Sequence, residues 1–380
     1  MTSEAEFEIL CIGNALVDVF AEDDEQLHLR FGITEPVQHV EIDKITSILS
    51  ALPVYNAVSG GGAANVAKIA AFLGAKTYFT GAIGAGKIGG VAVGGVEPDH
   101  FGRLFEKDLA ATGVKLALRQ KSLPTGICLM LKTGDGKTRI AASPSASLEL
   151  SESDISEEDI KKAKIVLIDG FMLGRPGLVS HIISKADLYK KVIAIDLSAP
   201  FIAKEYAEEL TNYARLYPLI LFMNEAEAEA FYSELKKKYP TSRITQIIYK
   251  ILNHRVSRSD PRSFAEKFSK TMLNSVFLRG VMFPFRRRLR KFPIVVVKLG
   301  ERGAVCFAGG EICKSETKAI TPLETTGAGD AFCAGFLTAW VRNKPLSECA
   351  ALGNKTAALV LGVEGSQIKN SGPLEPLFVE

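Results

Sequence analysis

The residues best suited to chemistry lie in one short stretch near the end of the chain. Gly327, Ala328 and Gly329 are followed by Asp330 and then by an apolar run with helical spacing. Small residues at a helix start leave backbone N–H groups open to an anion, and the helix dipole adds about half a positive charge there. Asp330 could accept the proton of an attacking hydroxyl beside that anion hole. The stretch therefore suits phosphoryl transfer, although a lone Gly-x-Gly-Asp is more typical of a turn whose aspartate caps a helix.

A second set of candidate residues lies near the amino terminus. Asp18 follows a predicted strand, and its two acceptor oxygens suit a bidentate grip on a vicinal diol. The glycines of Gly60–Gly62 would admit a flat sugar ring beside it. An aspartate that caps its own turn is the alternative for Asp18, but the presence of Asn65 in register favours a ligand role.

Several other classes of site are excluded by the sequence. The chain has no Gly-x-x-x-x-Gly-Lys-Ser/Thr motif and no pair of His-Arg-Asp and Asp-Phe-Gly motifs. Its six cysteines are scattered without metal-ligand spacing, which predicts buried thiols in a reducing compartment. The acidic start and the brief apolar run Ile9–Ile12 predict neither a signal peptide nor a membrane span. We therefore expect a cytoplasmic protein.

The elements that would position these residues alternate between short apolar runs and helical patterns. The predicted strands are Glu8–Gly13, Thr77–Ile83, Ile127–Lys132, Ile165–Gly170, Val192–Leu197, Leu219–Asn224 and Ile294–Gly300. The predicted helices are Ala63–Leu73, Glu225–Lys237, Gly329–Val341 and Leu346–Leu361. Such alternation predicts an open, doubly wound α/β sheet of parallel strands joined by crossover helices. Ligands of such sheets bind outside the carboxyl ends of the strands, where the candidate residues fall.

Taken together, these motifs resemble the ribokinase-like, or PfkB, family of carbohydrate and nucleoside kinases. The C-terminal signature of that family has the form Asp-Thr-Thr-Gly-Ala-Gly-Asp, which Glu324–Asp330 matches except at its first residue. The N-terminal counterparts are Gly13–Asp18 and Gly60–Ala67. The resemblance covers nearly the whole chain and implies an ATP-dependent kinase that uses Mg²⁺ and phosphorylates a hydroxyl of a sugar or nucleoside.

The resemblance also implies the architecture. It implies a single domain over residues 1–380 with a three-layer α/β/α ribokinase-like fold. A small β-sheet lid would be built from residues of about 18–50 and 118–142, and it would close over the acceptor and exclude water. The glycine-rich loop 84–95 is either a functional lid or a neutral insertion.

The resemblance assigns roles residue by residue. The implied base and anion hole are Asp330 with the backbone of Gly327, Ala328 and Gly329. The implied acceptor ligands are Asn14, Asp18, Gly61, Gly62 and Asn65. The implied nucleotide residues are Asn224, Lys298, Gly300, Gly303 and Asn354, and Glu227 is the implied magnesium residue. For Asn224 and Glu227 an ordinary helix start is the alternative, and for Asn354 a solvent-facing helical position.

Two single residues depart from the family pattern. Glu324 replaces the aspartate that usually opens the C-terminal signature, which puts the fine positioning of that loop in doubt. Lys298 stands where a small hydroxyl residue is common, and a lysine there could reach a phosphate instead. A non-catalytic binding protein on the same fold would suit both departures, whereas the intact Asp330 argues against it.

A basic insertion of about residues 239–293 also departs from the pattern. The segment Lys236–Lys291 holds 16 of the 46 Lys+Arg and 2 of the 43 Asp+Glu, so its net charge is +14 and that of the remainder is −11. We expect no nucleic-acid partner, because the remainder would repel phosphate backbones. The insertion is either an amphipathic element for a membrane surface or acidic partner, or a surface insertion with a solvated basic face, which we favour.

The choice of acceptor stays open at the level of sequence. The run Gly13–Asp18, with Phe171 and Asp196 after later strands, most resembles the adenosine-kinase branch and its bacterial relatives, which also include kinases of free sugars. A nucleoside site needs aromatic faces around a base. Phe20, Phe31 and Phe171 are candidates for such faces, and core packing is the alternative for each.

Overall fold

The structure is a computed structural model, and it describes residues 5–23, 26–88, 91–92, 97–256, 293–318, 320, 322 and 326–362. The strands in chain order are β1 (Ile9–Ile12), β2 (Leu16–Asp23), β3 (Val37–His39), β4 (Asn56–Gly60), β5 (Thr77–Gly84), β6 (Lys87–Ile88), β7 (Val91–Ala92), β8 (Lys115–Lys121), β9 (Gly126–Thr133), β10 (Thr138–Ser143), β11 (Ile165–Asp169), β12 (Val192–Asp196), β13 (Leu219–Asn224), β14 (Ile294–Lys298), β15 (Ala304–Ala308) and β16 (Glu311–Ser315).

The helices flank these strands in the usual alternation. In chain order they are α1 (Leu27–Arg30), α2 (Ile42–Ala51), α3 (Gly62–Phe72), α4 (His100–Ala111), α5 (Glu157–Lys162), α6 (Pro176–Leu188), α7 (Pro200–Glu205), α8 (Ala207–Leu216), α9 (Glu225–Lys238), α10 (Arg243–Val256), α11 (Ala328–Val341) and α12 (Leu346–Leu361). Short 3₁₀ turns cover Ser145–Glu149, Glu152–Asp154, Gly170–Gly174 and Gly300–Arg302.

The main sheet is mostly parallel and has the strand order β16-β15-β14-β13-β12-β11-β1-β5-β8. Every neighbouring pair from β14 to β8 is parallel, whereas β15 and β16 pair antiparallel at one edge. Because both faces of the central strands are covered by helices, their residues are apolar throughout rather than alternating with polar ones. Ile165 and Leu167 of β11 enter a core with α3, α11 and α12, and Val166 and Ile168 enter a second core on the opposite face. The two cores make the domain three layers deep.

A second, five-stranded sheet has the order β3-β10-β9-β2-β4. Residues Ile42, Ile45 and Ile48 of α2 are buried in the same core as Val17 and Leu129 of this sheet. It is the small sheet expected beside the main one. Its strand β4 comes from outside the two segments predicted for the lid, and β8, which overlaps the second of them, pairs with β5 at the edge of the main sheet.

Parts of the irregular segments lie outside the described residues. Within the glycine-rich loop, β6 and β7 pair antiparallel, and the residues between and after them are not described. Of the predicted basic insertion, α10 is described and buries Ile244, Ile247, Ile248 and Ile251 in the second core, whereas residues 257–292 lie outside the description. Across the described helices, none combines the length and apolar character needed to span a membrane.

Candidate active site

The carboxyl ends of four adjacent parallel strands bring polar side chains to one edge of the main sheet. Asp169 ends β11, Asp196 ends β12, Asn224 ends β13 and Lys298 ends β14. The first turn of α11, with Asp330, lies at the same edge, because Asp330 interacts electrostatically with Asp169, Asp196 and Lys298. This edge is where a doubly wound sheet places its ligands.

Asp330 is held by a residue from the other end of the chain. The Asn65 side chain on α3 donates a hydrogen bond from Nδ2 to Asp330 Oδ2 at 2.9 Å. Burial raises the pKa of Asp330 to about 7, with Asp196 and Asp169 adding to the rise and Asn65 and Lys298 opposing it. A carboxyl with that pKa can exchange a proton near neutral pH, as a general base must.

The start of α11 has the backbone expected of an anion hole. Gly327 adopts a left-handed conformation with φ 76°, which glycine tolerates best, and the helix begins at Ala328. A Cβ at Gly329 would lie 3.3 Å from Lys298 Nζ, so the lysine lies against this turn. The preceding Glu324 and Thr325 lie outside the described residues. The predicted effect of Glu324 on this loop therefore stays a prediction.

Glycines allow Asp18 and Asn14 to approach the chain closely. A Cβ at Gly60 would overlap the Asp18 carboxylate, and one at Gly61, where φ is 93°, would overlap the backbone oxygen of Asn14. A Cβ at Gly62 would lie 3.1 Å from Asp169 Oδ2 and 3.5 Å from Asp330 Oδ1. The predicted acceptor residues of the glycine run are thus packed between β2 and α11, without room for a larger side chain.

Asn14 itself is buried and is oriented by an arginine. Arg175 Nη2 donates to Asn14 Oδ1 at 2.7 Å, and Arg175 Nη1 donates to the backbone oxygen of Ser147. Burial lowers the pKa of Arg175 to about 10, and Asp169 opposes this effect. Because the amide oxygen of Asn14 accepts from Arg175, its amide nitrogen is the group left to donate to a ligand.

Asn224 and Glu227 form a reciprocal helix cap at the start of α9. Asn224 donates to Glu227 through its backbone nitrogen at 2.8 Å and through Nδ2 at 2.6 Å, and Glu227 N donates back to Asn224 Oδ1 at 2.9 Å. Burial raises the pKa of Glu227 to about 7, and Asp196 adds to the rise. Among the described residues no group of three or more His, Cys, Asp and Glu side chains could hold a metal ion. The magnesium role of Glu227 stays a prediction.

The remaining predicted nucleotide residues lie around one turn. Gly300 and Gly303 have φ of 61° and 81°, and a Cβ at Gly303 would overlap the backbone oxygen of Ser315. On α12, Asn354 Nδ2 donates to the backbone oxygen and to Oγ of Ser315 at 3.0 and 3.1 Å. The Asn354 amide thus fastens α12 to the end of β16, and its contact with adenine stays a prediction.

Aromatic side chains cluster beside the same edge of the sheet. Phe171, His39 and Phe201 contact one another with ring centroids 6.1 to 6.4 Å apart. Phe201 is half exposed, and Phe171 is held by a hydrogen bond from its backbone nitrogen to Asp169 Oδ1 at 3.0 Å. Phe171 is also partly buried against the second core, and Phe31 is partly buried against the first.

Two residues of this region, Asp169 and Arg175, were missed by sequence reasoning. Asp169 is the last residue of β11, and its carboxylate faces Gly62. The available signal in the sequence was a single charged residue at the end of an otherwise apolar run, Ile165–Asp169. Arg175 gave no signal, because only the fold brings it to Asn14, 161 residues earlier in the chain.

Comparisons with known proteins agree on one class of enzyme. The family described as pfkB family carbohydrate kinase matches residues 9–254 and 288–371, which leaves 255–287 unmatched within the segment predicted as an insertion. Adenosine kinase 2 of Arabidopsis thaliana is 24% identical over 375 residues, with 94% of each chain covered. Adenosine kinase of Saccharomyces cerevisiae is 24% identical, with 97% of this chain and 96% of the relative covered. The crystal structure of adenosine kinase from Sinorhizobium meliloti superposes with a TM-score of 0.72 at 24% identity over 98% of each chain, which confirms the predicted fold.

Proposed function

This chain belongs to the pfkB family of carbohydrate kinases and is an ATP-dependent kinase of a sugar or nucleoside, and on that premise we propose that its acceptor is adenosine. The family membership confirms the predicted class of enzyme and sets aside the non-catalytic alternative. The observation that carries the proposal is the cluster of Phe171, His39 and Phe201 beside the site. Exposed aromatic rings suit a nucleobase, whereas a free sugar presents hydroxyl groups and has no flat aromatic face. The full-length likeness to proteins named adenosine kinase supports the same acceptor.

In the proposed reaction Asp330 is the general base. Its Oδ2 is engaged by Asn65, so Oδ1, which faces Gly62, is the oxygen available to a hydroxyl of the acceptor. Asp330 takes the hydroxyl proton while the acceptor oxygen bonds to the γ-phosphorus and the bond from phosphorus to the ADP oxygen breaks. The backbone amides at Gly327, Ala328 and Gly329 stabilise the phosphoryl group in transit, because they lie at a helix start.

In the proposed complex, the acceptor is bound by the glycine run Gly60–Gly62 and the residues packed around it. Asp18 accepts from the ribose hydroxyls, and the amide nitrogen of Asn14 donates to the ligand. Gly61 and Gly62 let the run pack closely beside these residues, since a side chain at either position would meet Asn14 or Asp169.

We further propose that the enzyme uses Mg²⁺. Magnesium keeps several waters and takes one or two carboxylates together with the phosphates of the nucleotide. The donors of this site fit that preference, because Glu227 has lone pairs left on both oxygens beside the hydrogen bonds from Asn224. When bound, the ion would neutralise charge on the phosphates. A reducing, cytoplasmic location is part of the proposal, and the six cysteines, all without a disulfide, support it.

The acceptor is tested by ATP consumption in a coupled assay against adenosine, other nucleosides, ribose and fructose. We expect adenosine to give the highest kcat/KM. Replacement of Phe171 by Ala should lower kcat/KM for adenosine about 5- to 150-fold, the equivalent of about 1–3 kcal/mol of lost stacking, and leave ribose unchanged. A matched control is Phe31→Ala, at a partly buried position packed against the first core, which should not alter the ratio between the two acceptors. Preference for ribose or fructose, or an unchanged ratio in Phe171→Ala, would contradict adenosine as the acceptor.

A further inference from the structure

A buried ion pair lies against the start of α11. Lys298 Nζ lies 3.0 Å from Asp196 Oδ1 and 2.9 Å from Oδ2, so both oxygens of the carboxylate hold the ammonium group. On the α11 side, Cys333 Sγ donates to Asp196 Oδ2 at 3.2 Å. The Lys298 and Asp196 side chains are only 13% and 11% exposed. The pair is therefore nearly enclosed between β12, β14 and the catalytic helix.

The pair lies within a concentration of negative charge. Asp196 raises the pKa of both Glu227 and Asp330, and Lys298 lowers both, although burial is the largest cause of each shift. Burial alone would lower the pKa of Lys298, but Asp196 and Glu227 hold it above its usual range. Lys298 therefore stays protonated and offsets the charge of Asp196.

The nucleotide adds further negative charge at this place. The phosphoryl group in transit would lie at the helix start, and a Cβ at Gly329 would be only 3.3 Å from Lys298 Nζ. An Asp196 carboxylate left uncompensated by this lysine, with which it is paired, would repel the phosphates, the more so because low exposure limits screening by water. Two of the three N–H donors of Lys298 are bonded to the Asp196 carboxylate, and Cys333 Sγ lies 3.8 Å from Nζ, so the ammonium charge is directed mainly at its partner within the pair.

We propose that Lys298 is a positioning residue whose task is to neutralise Asp196 beside the start of α11, so that the phosphates of ATP can be bound there. Its role is charge compensation within a fixed pair, and not direct contact with a phosphate as the sequence suggested. The proposal rests on the kinase activity of the family and is independent of the choice of acceptor.

A double-mutant cycle on ATP binding tests this role. Direct calorimetric titration with ATP, without acceptor, would compare the wild type with Lys298→Met, Asp196→Asn and the double variant. Lys298→Met should weaken ATP binding about 10- to 100-fold, because it leaves a buried carboxylate unpaired. The double variant should bind ATP within about threefold of the wild type, because the charge that needed compensation is gone. Lys185→Met, which breaks the pair with Glu157 between α5 and α6, is the matched control and should bind ATP normally.

Each outcome decides between the two roles of Lys298. A double variant as weak as Lys298→Met, or unchanged binding in Lys298→Met, would overturn the proposal. If Lys298→Met does not fold, as judged by thermal unfolding, the comparison of Asp196→Asn with the double variant still decides. In the Asp196→Asn background, loss of Lys298 should change ATP affinity by no more than about threefold. If Lys298 contacted a phosphate directly, the same loss should weaken ATP binding about tenfold or more. Failure of adenosine as an acceptor would leave these results untouched, whereas a wild type that does not bind ATP would contradict the kinase itself.

Discussion

At the scale of single residues, the proposed base and its partner come from opposite ends of the chain. Asp330 and Asn65 are 265 positions apart, and one hydrogen bond joins them. The sequence predicted both residues, because each lies in a short motif of small residues at a helix start. It did not predict their contact or the closeness of Asp169, since those depend on how α3 and α11 pack beside β11.

The raised pKa of Asp330 has a consequence for stability. Its carboxyl has a pKa of about 7 in the folded protein, against 3.8 ordinarily, so the folded state binds the proton more tightly than the unfolded state does. Ionisation of Asp330 therefore destabilises the fold, and this cost is absent below pH 3.8, grows from there to pH 7 and is constant above.

The variant Asp330→Asn removes this cost. We expect its Tm to exceed that of the wild type at pH 7 to 8, with a difference that shrinks as the pH falls toward 4. Thermal unfolding of both proteins across this range measures the effect. Glu227→Asn is a less suitable comparison because it breaks the cap of α9, so Asp187→Asn, on α6 and only partly buried, serves as the control. A Tm for Asp330→Asn that is lower than the wild type throughout would contradict the burial of this charge.

At the scale of elements, the central strands were predicted closely. The runs 165–170, 192–197, 219–224 and 294–300 correspond to β11, β12, β13 and β14, because strands buried on both faces are apolar throughout. The run 127–132 looked the same but belongs to β9 of the second sheet. Which sheet a strand joins depends on distant partners, here Leu16–Asp23, and is not recorded in the run itself. The antiparallel strands β15 and β16 were not predicted, since β16 is short and half exposed.

Gly335 lies where α11 approaches α12 closely. A Cβ at Gly335 would lie 2.5 Å from Thr356 Oγ1 and 2.7 Å from the Leu352 backbone oxygen. We expect Gly335→Ala to lower the free energy of unfolding by about 1–3 kcal/mol through overpacking, although alanine is the better helix former. Urea denaturation measures the loss.

A matched control for this prediction is Gly177→Ala in α6. That position is exposed, and its Cβ would meet only the end of the flexible Glu152 side chain, at 3.3 Å. The same substitution should there be neutral or stabilising by up to about 1 kcal/mol, because alanine has the higher helix propensity. Equal changes in the free energy of unfolding at the two positions would show that helix propensity, and not the close approach of α11 and α12, determines the effect of Gly335→Ala.

At the scale of the whole molecule, the site is shared between two sheets. The main sheet supplies the strand ends with Asp169 and Asp196, and the second sheet supplies Asp18 on β2 and His39 on β3. The contacts of His39 with Phe171 and Phe201 join the two sheets beside the candidate site. The sequence predicted that a lid sheet exists, but a single histidine in a short exposed strand gave no sign of this contact. The basic segment 257–292 lies outside the described residues, so its two interpretations stand as before.

The central claim is that Asp330 is the base of an ATP-dependent kinase, and turnover of Asp330→Asn with adenosine and Mg²⁺ tests it most directly. We predict that kcat falls about 10²- to 10⁴-fold, because a general base contributes that much, while calorimetric ATP affinity stays within about threefold of the wild type. That combination separates loss of the base from loss of the nucleotide site. Undiminished turnover in Asp330→Asn would remove this carboxylate from the mechanism and contradict the account.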